Sequence, residues 1–165
     1  MSDISATIDV PSQPDADGDT EENVNTEKYI IFSVIDRLFS IPSRHIGEIA
    51  LFDTVYPLPL MPPYIPGVIN RYSIPYALFD IGLMLFNTKG QYEKVLVLKE
   101  EIDRISFLVD DVKGFAEISK ENLLSVENEK SGVSDAISAF FSWEGSDIFV
   151  LDVHQILSRV KDEAA

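Results

Sequence analysis

Short apolar runs separated by polar turns fill the chain from residue 28 onward, and most of them have the length of a β-strand. The β-branched and aromatic run at 29–35 is separated from the run at 38–41 only by Asp36 and Arg37, a spacing typical of a hairpin. Polar residues at 144–147 separate a later pair in the same way. The pattern predicts strands at 29–35, 38–41, 67–70, 76–80, 94–99, 102–109, 112–118, 137–143 and 148–152.

Helical spacing is confined to two short segments. Ser43 is a suitable N-cap for a short helix over 43–49. Apolar residues at 153, 156, 157 and 160 predict a second short helix at the C-terminal end. The predicted fold class is therefore all-β with short helices.

A proline-rich segment separates the early strands from the later ones, with five prolines between Val55 and Pro66. Because proline fixes φ and has no backbone N–H, we predict an extended, ordered crossing rather than a paired strand. Tyrosines surround this crossing and fit either a recognition surface or packing at the edge of the core; they are Tyr56, Tyr64, Tyr72 and Tyr76.

The two halves of the chain repeat one short sequence. Residues 35–38 read IDRL and residues 102–105 read IDRI, and each follows a predicted strand and precedes another. This repetition favours two similar β subdomains over a single sandwich. We place them at about 28–86 and 87–160, within one domain spanning 28–165.

The formal charge of −15 is unevenly distributed, with 28 Asp and Glu against 13 Lys and Arg. Residues 1–27 hold eight acids, no base and no aromatic residue, which predicts a disordered acidic tail. The remainder carries 20 acids and 13 bases, or −7. An acidic body repels phosphate groups, so nucleic acid and anionic membrane are poor partners.

The sequence predicts neither export nor membrane insertion. The N-terminus lacks the basic and apolar regions of a signal peptide. No apolar run approaches the roughly 18 residues of a membrane span. A cytoplasmic location follows as the expectation.

Candidate chemistry is sparse. The chain has no cysteine, which excludes disulfides and thiolate metal sites. Its two histidines, His45 and His154, lie in no nucleophile motif. Acidic pairs such as 100–101 and 110–111 fit solvated turns or opposite strand faces. We predict no catalytic residue, no metal site and no cofactor.

An ordered set of motifs resembles the CheW-like domain family. The opening hairpin at 29–42, the sequence IGEI at 46–49 and the stretch PLPLMPPYIPGVIN at 57–70 match family elements in order, and the last is the most specific. Asp80 follows Asn70 at the family spacing. The sequences FLVDDVKG at 107–114 and VLD at 150–152 resemble the second half. The resemblance covers about 28–160.

This resemblance implies two five-stranded β barrels packed side by side, without enzymatic activity. It implies a scaffold that couples the cytoplasmic tips of chemoreceptors to the CheA histidine kinase, whose regulatory domain shares the fold. In the family, a groove between the barrels receives the receptor tip, and barrel surfaces pair with the kinase. The alternatives are a CheW-like coupling protein of a non-chemotactic kinase pathway, such as surface motility, and a small β-barrel ligand binder.

The chain departs from the family where the family reads N-L-R-G. Tyr72 stands at the arginine position and Ser73 at the glycine position, while the arginine comes one residue early. Tyr and Arg are enriched at binding hot spots, so we predict that this turn is exposed and sets partner choice. The predicted protein-binding residues are Glu48, Ile49, Asn70, Arg71, Tyr72 and Ser73.

Overall fold

The computed structural model describes residues 25–126 and 135–164. Seven strands precede residue 110: β1 (Thr26–Val34), β2 (Arg37–Pro42), β3 (Ile46–Leu51), β4 (Gly67–Arg71), β5 (Ile74–Asp80), β6 (Lys94–Leu98) and β7 (Ile105–Val109). Four more follow: β8 (Asp111–Ser119), β9 (Leu124–Ser125), β10 (Ile137–Trp143) and β11 (Ser146–Leu151). Helices α1 (Ile81–Phe86) and α2 (Val153–Ala164) follow β5 and β11.

The strands form two sheets, which confirms the predicted all-β fold with two subdomains. The first sheet has the order β8-β1-β2-β11-β10-β9, and the second has the order β3-β6-β7-β5-β4. The second sheet uses only residues 46–109, whereas the first combines 26–42 with 111–151. The second sheet is thus an insertion into the first, and these boundaries differ from the sequence-based division between 86 and 87.

The N-terminal limit of the fold lies within the predicted tail. Residues 1–24 of that tail lie outside the described residues, but Thr26 and Glu27 belong to β1. The carboxylate of Glu27 accepts a hydrogen bond from Arg44 Nε at 3.1 Å. Residues 127–134 likewise lie outside the described part of the chain.

Strand β1 is buried on both faces and contributes to two separate cores. Ile30 and Phe32 point into a central cluster shared by the two sheets and both helices, with Phe79 and Phe107 supplied by the second sheet. Tyr29 and its neighbours on the other face pack inside the first sheet. Successive side chains of a strand point to opposite faces, so one strand can fill both cores.

Each sheet curls so that its edge regions approach, but the first sheet has six strands where the resemblance implied five. In the second sheet, Glu48 of β3 and Arg71 of β4 form an ion pair although these strands lie at opposite ends of the strand order. A separate apolar cluster, including Leu78 and Val95, fills the space enclosed by this sheet. In the first sheet, Ala116 of β8 joins the inner cluster supplied by β10 and β11.

The predicted helix over 43–49 is wrong beyond its first turn. Ser43–His45 form a single 3-10 turn, and the chain then continues as β3, paired antiparallel with β6. Half-buried and exposed side chains alternate along β3. A bulge between Ile46 and Glu48 turns Ile46 towards the central cluster and Glu48 to the inner face of the second sheet, with Ile49 on the outer face. The spacing of Ile46 and Ile49 fits a helix turn, but ladder hydrogen bonds to the apolar β6 strand outweigh that local preference.

Candidate functional site

The predicted loop after Asn70 is a tight hairpin turn between β4 and β5. Arg71 pairs with Ile74, which leaves Tyr72 and Ser73 as the two turn residues. Their φ angles are 54° and 68°, as in the mirror-image turns that match the twist of hairpin strands. Tyr72 is 81% exposed. The turn therefore presents an aromatic ring to solvent on a short, constrained support.

The side chain of Arg71 turns away from solvent towards the neighbouring edge strand. Its Nε donates to Glu48 Oε1 at 3.2 Å, and Nη2 contacts the other carboxylate oxygen. The hydrogen bonds that Arg71 donates to Glu48 raise the pKa of Arg71. Glu48 thus neutralises the charge of Arg71 at the seam between β3 and β4.

Tyr72 completes this cluster from the turn. Its hydroxyl lies 3.5 Å from Glu48 Oε2, and the Arg71 guanidinium lies 5.4 Å from the centroid of its ring. The last distance is within the range of a cation–π contact. The ring is therefore held against the ion pair while most of its surface remains exposed.

The six predicted site residues divide between the two faces of the second sheet. Glu48 and Arg71 share the inner face, with Tyr72 and Ser73 at the adjoining turn. Ile49 and Asn70 are exposed and occupy the alternate positions of their strands, on the outer face. The one-residue shift of the arginine relative to the family pattern therefore places Arg71 in the seam rather than in the exposed turn.

Two grooves flank the ion pair. One, of about 100 Å³, is lined by Leu51, Tyr56 and Ile69 among others, and the second, of about 280 Å³, includes Tyr76 and Val97. Small-molecule sites typically occupy roughly 300–1,000 Å³. Both grooves are below that range, and they suit single side chains of a partner protein better than an enclosed ligand.

The tyrosines around the proline-rich crossing divide into a buried pair and an exposed pair. Tyr64 and Tyr76 are buried and pack into the cores, whereas Tyr56 and Tyr72 are exposed. Sequence reasoning overlooked exposed leucines in the same crossing, because a leucine is ordinarily counted as a core residue. Leu60 in particular is fully exposed.

The described part of the chain contains neither a candidate metal site nor a helix that could span a membrane. In residues 25–126 and 135–164, no group of three or more His, Asp or Glu side chains could hold a metal ion. Within the same ranges, no helix has both the length and the apolar character needed to cross a membrane.

The ion pair is expected to contribute little to stability. Its side chains are 27% and 29% exposed, and water screens such pairs, so Glu48→Gln should lower the free energy of unfolding by less than about 1 kcal/mol. Urea titration of Glu48→Gln, Arg71→Gln and the double variant measures the coupling energy. The Lys94–Asp111 pair, with N and O 2.9 Å apart, provides a matched surface control. A coupling well above that of the control would mean that the ion pair helps to close the sheet.

Comparisons with known proteins give concordant results. Residues 28–161 match the family model of the CheW-like domain. A curated relative, the chemotaxis protein CheW of Treponema pallidum (strain Nichols), is 21% identical over 145 residues, covering 82% of this chain and 85% of the relative. The crystal structure of the scaffolding protein TtCheW from Thermoanaerobacter tengcongensis superposes with a TM-score of 0.68 at 13% identity, covering 76% of this chain and 84% of the other.

Proposed function

The chain belongs to the CheW-like domain family, and we propose that it is a non-catalytic scaffold coupling the cytoplasmic tips of chemoreceptors to the CheA histidine kinase in chemotaxis signalling. The observation that carries this proposal is the family match over 28–161, which spans both sheets and most of α2. The names of the two relatives, a chemotaxis protein and a scaffolding protein, also support this proposal. The proposal places the protein in the cytoplasm and assigns it no cofactor, metal or nucleic-acid partner.

In this proposal the β4–β5 turn is part of the receptor contact. Tyr72 offers a large aromatic surface whose backbone is fixed by the two-residue turn, so little conformational entropy is lost on binding. Because Glu48 already neutralises Arg71, the contact depends on the ring rather than on a free positive charge. Ile49 and Asn70 extend the contact on the outer face of the same two strands.

Tyr72→Asn tests the assignment of the turn. Asparagine tolerates a positive φ, so folding should be preserved while the ring is lost. We expect the affinity for a purified receptor-tip fragment to fall at least fivefold, about 1 kcal/mol, which is the scale of one hot-spot contact. Affinity for the regulatory domain of the kinase should change much less. Isothermal titration calorimetry against each fragment measures both.

Phe115→Thr is the matched control, because Phe115 is an exposed aromatic residue on the first sheet. It should leave receptor binding unchanged. Reduced kinase affinity with unchanged receptor affinity for Tyr72→Asn would place the turn at the kinase interface instead. If the unaltered protein binds neither fragment, the proposed chemotaxis function is wrong.

The altered turn sequence also favours a second candidate, a coupling protein for a non-chemotactic kinase pathway such as surface motility. Three of the four residues at 70–73 differ from the family motif, while the Gly67-Val68-Ile69 sequence before them matches it. A changed contact surface on a retained fold is what a different receptor would require. Binding to receptor and kinase fragments of such a pathway, and not to chemotaxis fragments, would establish this candidate.

A further inference from the structure

The chain passes between the two sheets twice, once through residues 43–45, named here the first junction, and once through Asp110. The first junction joins the end of β2 to the start of β3 in a single 3-10 turn. The carbonyl of its last residue, His45, accepts a hydrogen bond from the backbone N–H of Lys99 at 2.9 Å. The backbone of the junction is thus tied to the residue that follows β6.

The contacts of the His45 ring select its neutral form. Arg44 Nη1 lies 2.8 Å from Nε2 of the ring. Because arginine only donates hydrogen bonds, Nε2 is the unprotonated acceptor and Nδ1 carries the single proton of the neutral ring. Nδ1 is enclosed and has no hydrogen-bond partner among residues 25–126 and 135–164. A second proton would therefore break the contact with Arg44 and gain no acceptor at Nδ1.

The same guanidinium connects the first junction to β1. Arg44 Nε donates to Glu27 Oε2 at 3.1 Å, and Nη2 donates to Oε1 at 3.2 Å. Glu27 lies near the start of β1. His45, Arg44 and Glu27 therefore form a chain of contacts that holds the first junction against the first sheet.

The surroundings of the ring also oppose a second proton. Burial lowers the pKa of His45, and the positive charge of Arg44 lowers it further. The other groups that face the ring are Glu27 of β1, which raises this pKa, and His154 of α2 and Lys99 after β6, which lower it. Once the junction is open, the ring would titrate near its ordinary value of about 6.5. Above that pH the ring is neutral in both forms, and below it acid favours the open form.

We propose that His45 is a pH-sensitive latch on the first junction, closed while its ring is neutral and opened when Nε2 takes up a proton from solvent. Protonation removes the acceptor of Arg44 and places two positive charges side by side. The guanidinium then moves away, and the charged ring turns out to water, where both nitrogens find acceptors. The latch acts on the joint between the two sheets, so the inference goes beyond the proposed function and does not require it.

Amide hydrogen exchange of Lys99 measures opening of the junction, because this N–H donates to the His45 carbonyl. From about pH 7.5 to about pH 5, we expect its protection factor to fall at least about fivefold in the unaltered protein. His45→Gln should limit this fall to less than about twofold, because the glutamine oxygen can still accept from Arg44 but takes up no proton. His154→Gln is the matched control, since it removes the other histidine of the chain and should keep most of the fall.

Titration of the His45 ring by NMR is a second test that does not depend on the folding of His45→Gln. The pKa of His45 should lie below its ordinary value and should rise in Arg44→Gln, which removes both the donor and its charge. An ordinary pKa of His45 in the unaltered protein would overturn the latch. So would a fall in protection that persists in His45→Gln, or one that disappears only in His154→Gln. None of these measurements uses a receptor or kinase fragment, so failure of the latch and failure of the proposed function are distinguishable.

Discussion

Gly67→Ala is expected to lower the free energy of unfolding by about 3 kcal/mol. Gly67 opens β4 with a φ of 157°, and a Cβ atom there would lie 2.3 Å from the carbonyl oxygen of Tyr56 and 2.9 Å from Pro57 Cα. Both neighbours are backbone atoms, and the Tyr56–Val68 hydrogen bonds hold them in place. The added methyl group cannot be accommodated by a side-chain rotation, so the cost lies at the upper end of that for overpacking.

Gly145→Ala is the matched control. Gly145 has a φ of 81°, but nothing lies within 4 Å of the position that its Cβ would take. Only the backbone preference is then lost, about 1 kcal/mol. Urea unfolding followed by circular dichroism compares the two variants. Equal losses for both would mean that the close approach of Tyr56 is relieved by movement of the proline-rich crossing.

Asp80→Ala is also expected to lower the free energy of unfolding by about 3 kcal/mol, but for a different reason. Asp80 is 2% exposed, and its carboxylate accepts from the backbone N–H of Leu83 at 3.0 Å and from the Tyr92 hydroxyl at 2.6 Å. Removing the carboxylate uncaps α1 and leaves two donors without their acceptor. Hydrogen bonds to charged groups contribute roughly 1.5–3 kcal/mol each, and an N-cap about 1 kcal/mol.

Two further variants separate the contribution of the Tyr92 hydrogen bond from that of the helix cap. Tyr92→Phe removes one hydrogen bond while keeping the cap, and should cost about 1 kcal/mol. Burial, followed by the hydrogen bond to Asp80, raises the pKa of Tyr92, so in Asp80→Asn this pKa should fall but stay above its ordinary value. Spectrophotometric titration of the tyrosines measures the change. An unaltered titration would show that Asp80 and Tyr92 are not in contact in solution.

The local pattern was sufficient to predict most strands and two hairpin pairings, β1 with β2 and β10 with β11, but not the pairings between distant strands. The apolar runs of β1, β6 and β10 are either continuous or alternate with polar residues. Both patterns are typical of strands and can be recognised in the sequence. The parallel pairing of β2 with β11 joins Ser40 to residues more than a hundred positions away. No local feature of the sequence encodes the pairing of β2 with β11. That pairing makes the second sheet an insertion into the first.

Two short elements show where local reasoning fails. In β3, the spacing of Ile46 and Ile49 fits a helix and a strand equally well, and only pairing with β6 settles it. In α1, Asp80 is the N-cap and Asn87 after its end is left-handed, but the sequence pattern did not predict a helix between them. The six residues between them are mostly apolar on every side, so they show no periodicity and resemble a continuation of β5.

The candidate site was predictable only in part. The turn at Tyr72 could be located because it interrupts an otherwise matching family motif. The contact between Glu48 and Arg71 could not, because the two residues belong to strands that meet only when the second sheet curls. Leu60 was overlooked for a chemical reason, since the sequence does not distinguish an exposed leucine from a buried one.

The insertion of one sheet into the other sets an order of events during synthesis on the ribosome. All strands of the second sheet have emerged once residue 109 is free, and it can then close by itself. The β1–β2 hairpin, made first, must wait for β8 and β11. At 5–20 residues per second, the roughly 110 residues from the end of β2 to the end of β11 take on the order of 5–20 s. The second sheet can cover the face of β1 that carries Ile30 and Phe32 before then. The face that carries Tyr29 and Ile31 stays exposed until β10 and β11 emerge, so this apolar face of the nascent hairpin remains open to misassociation.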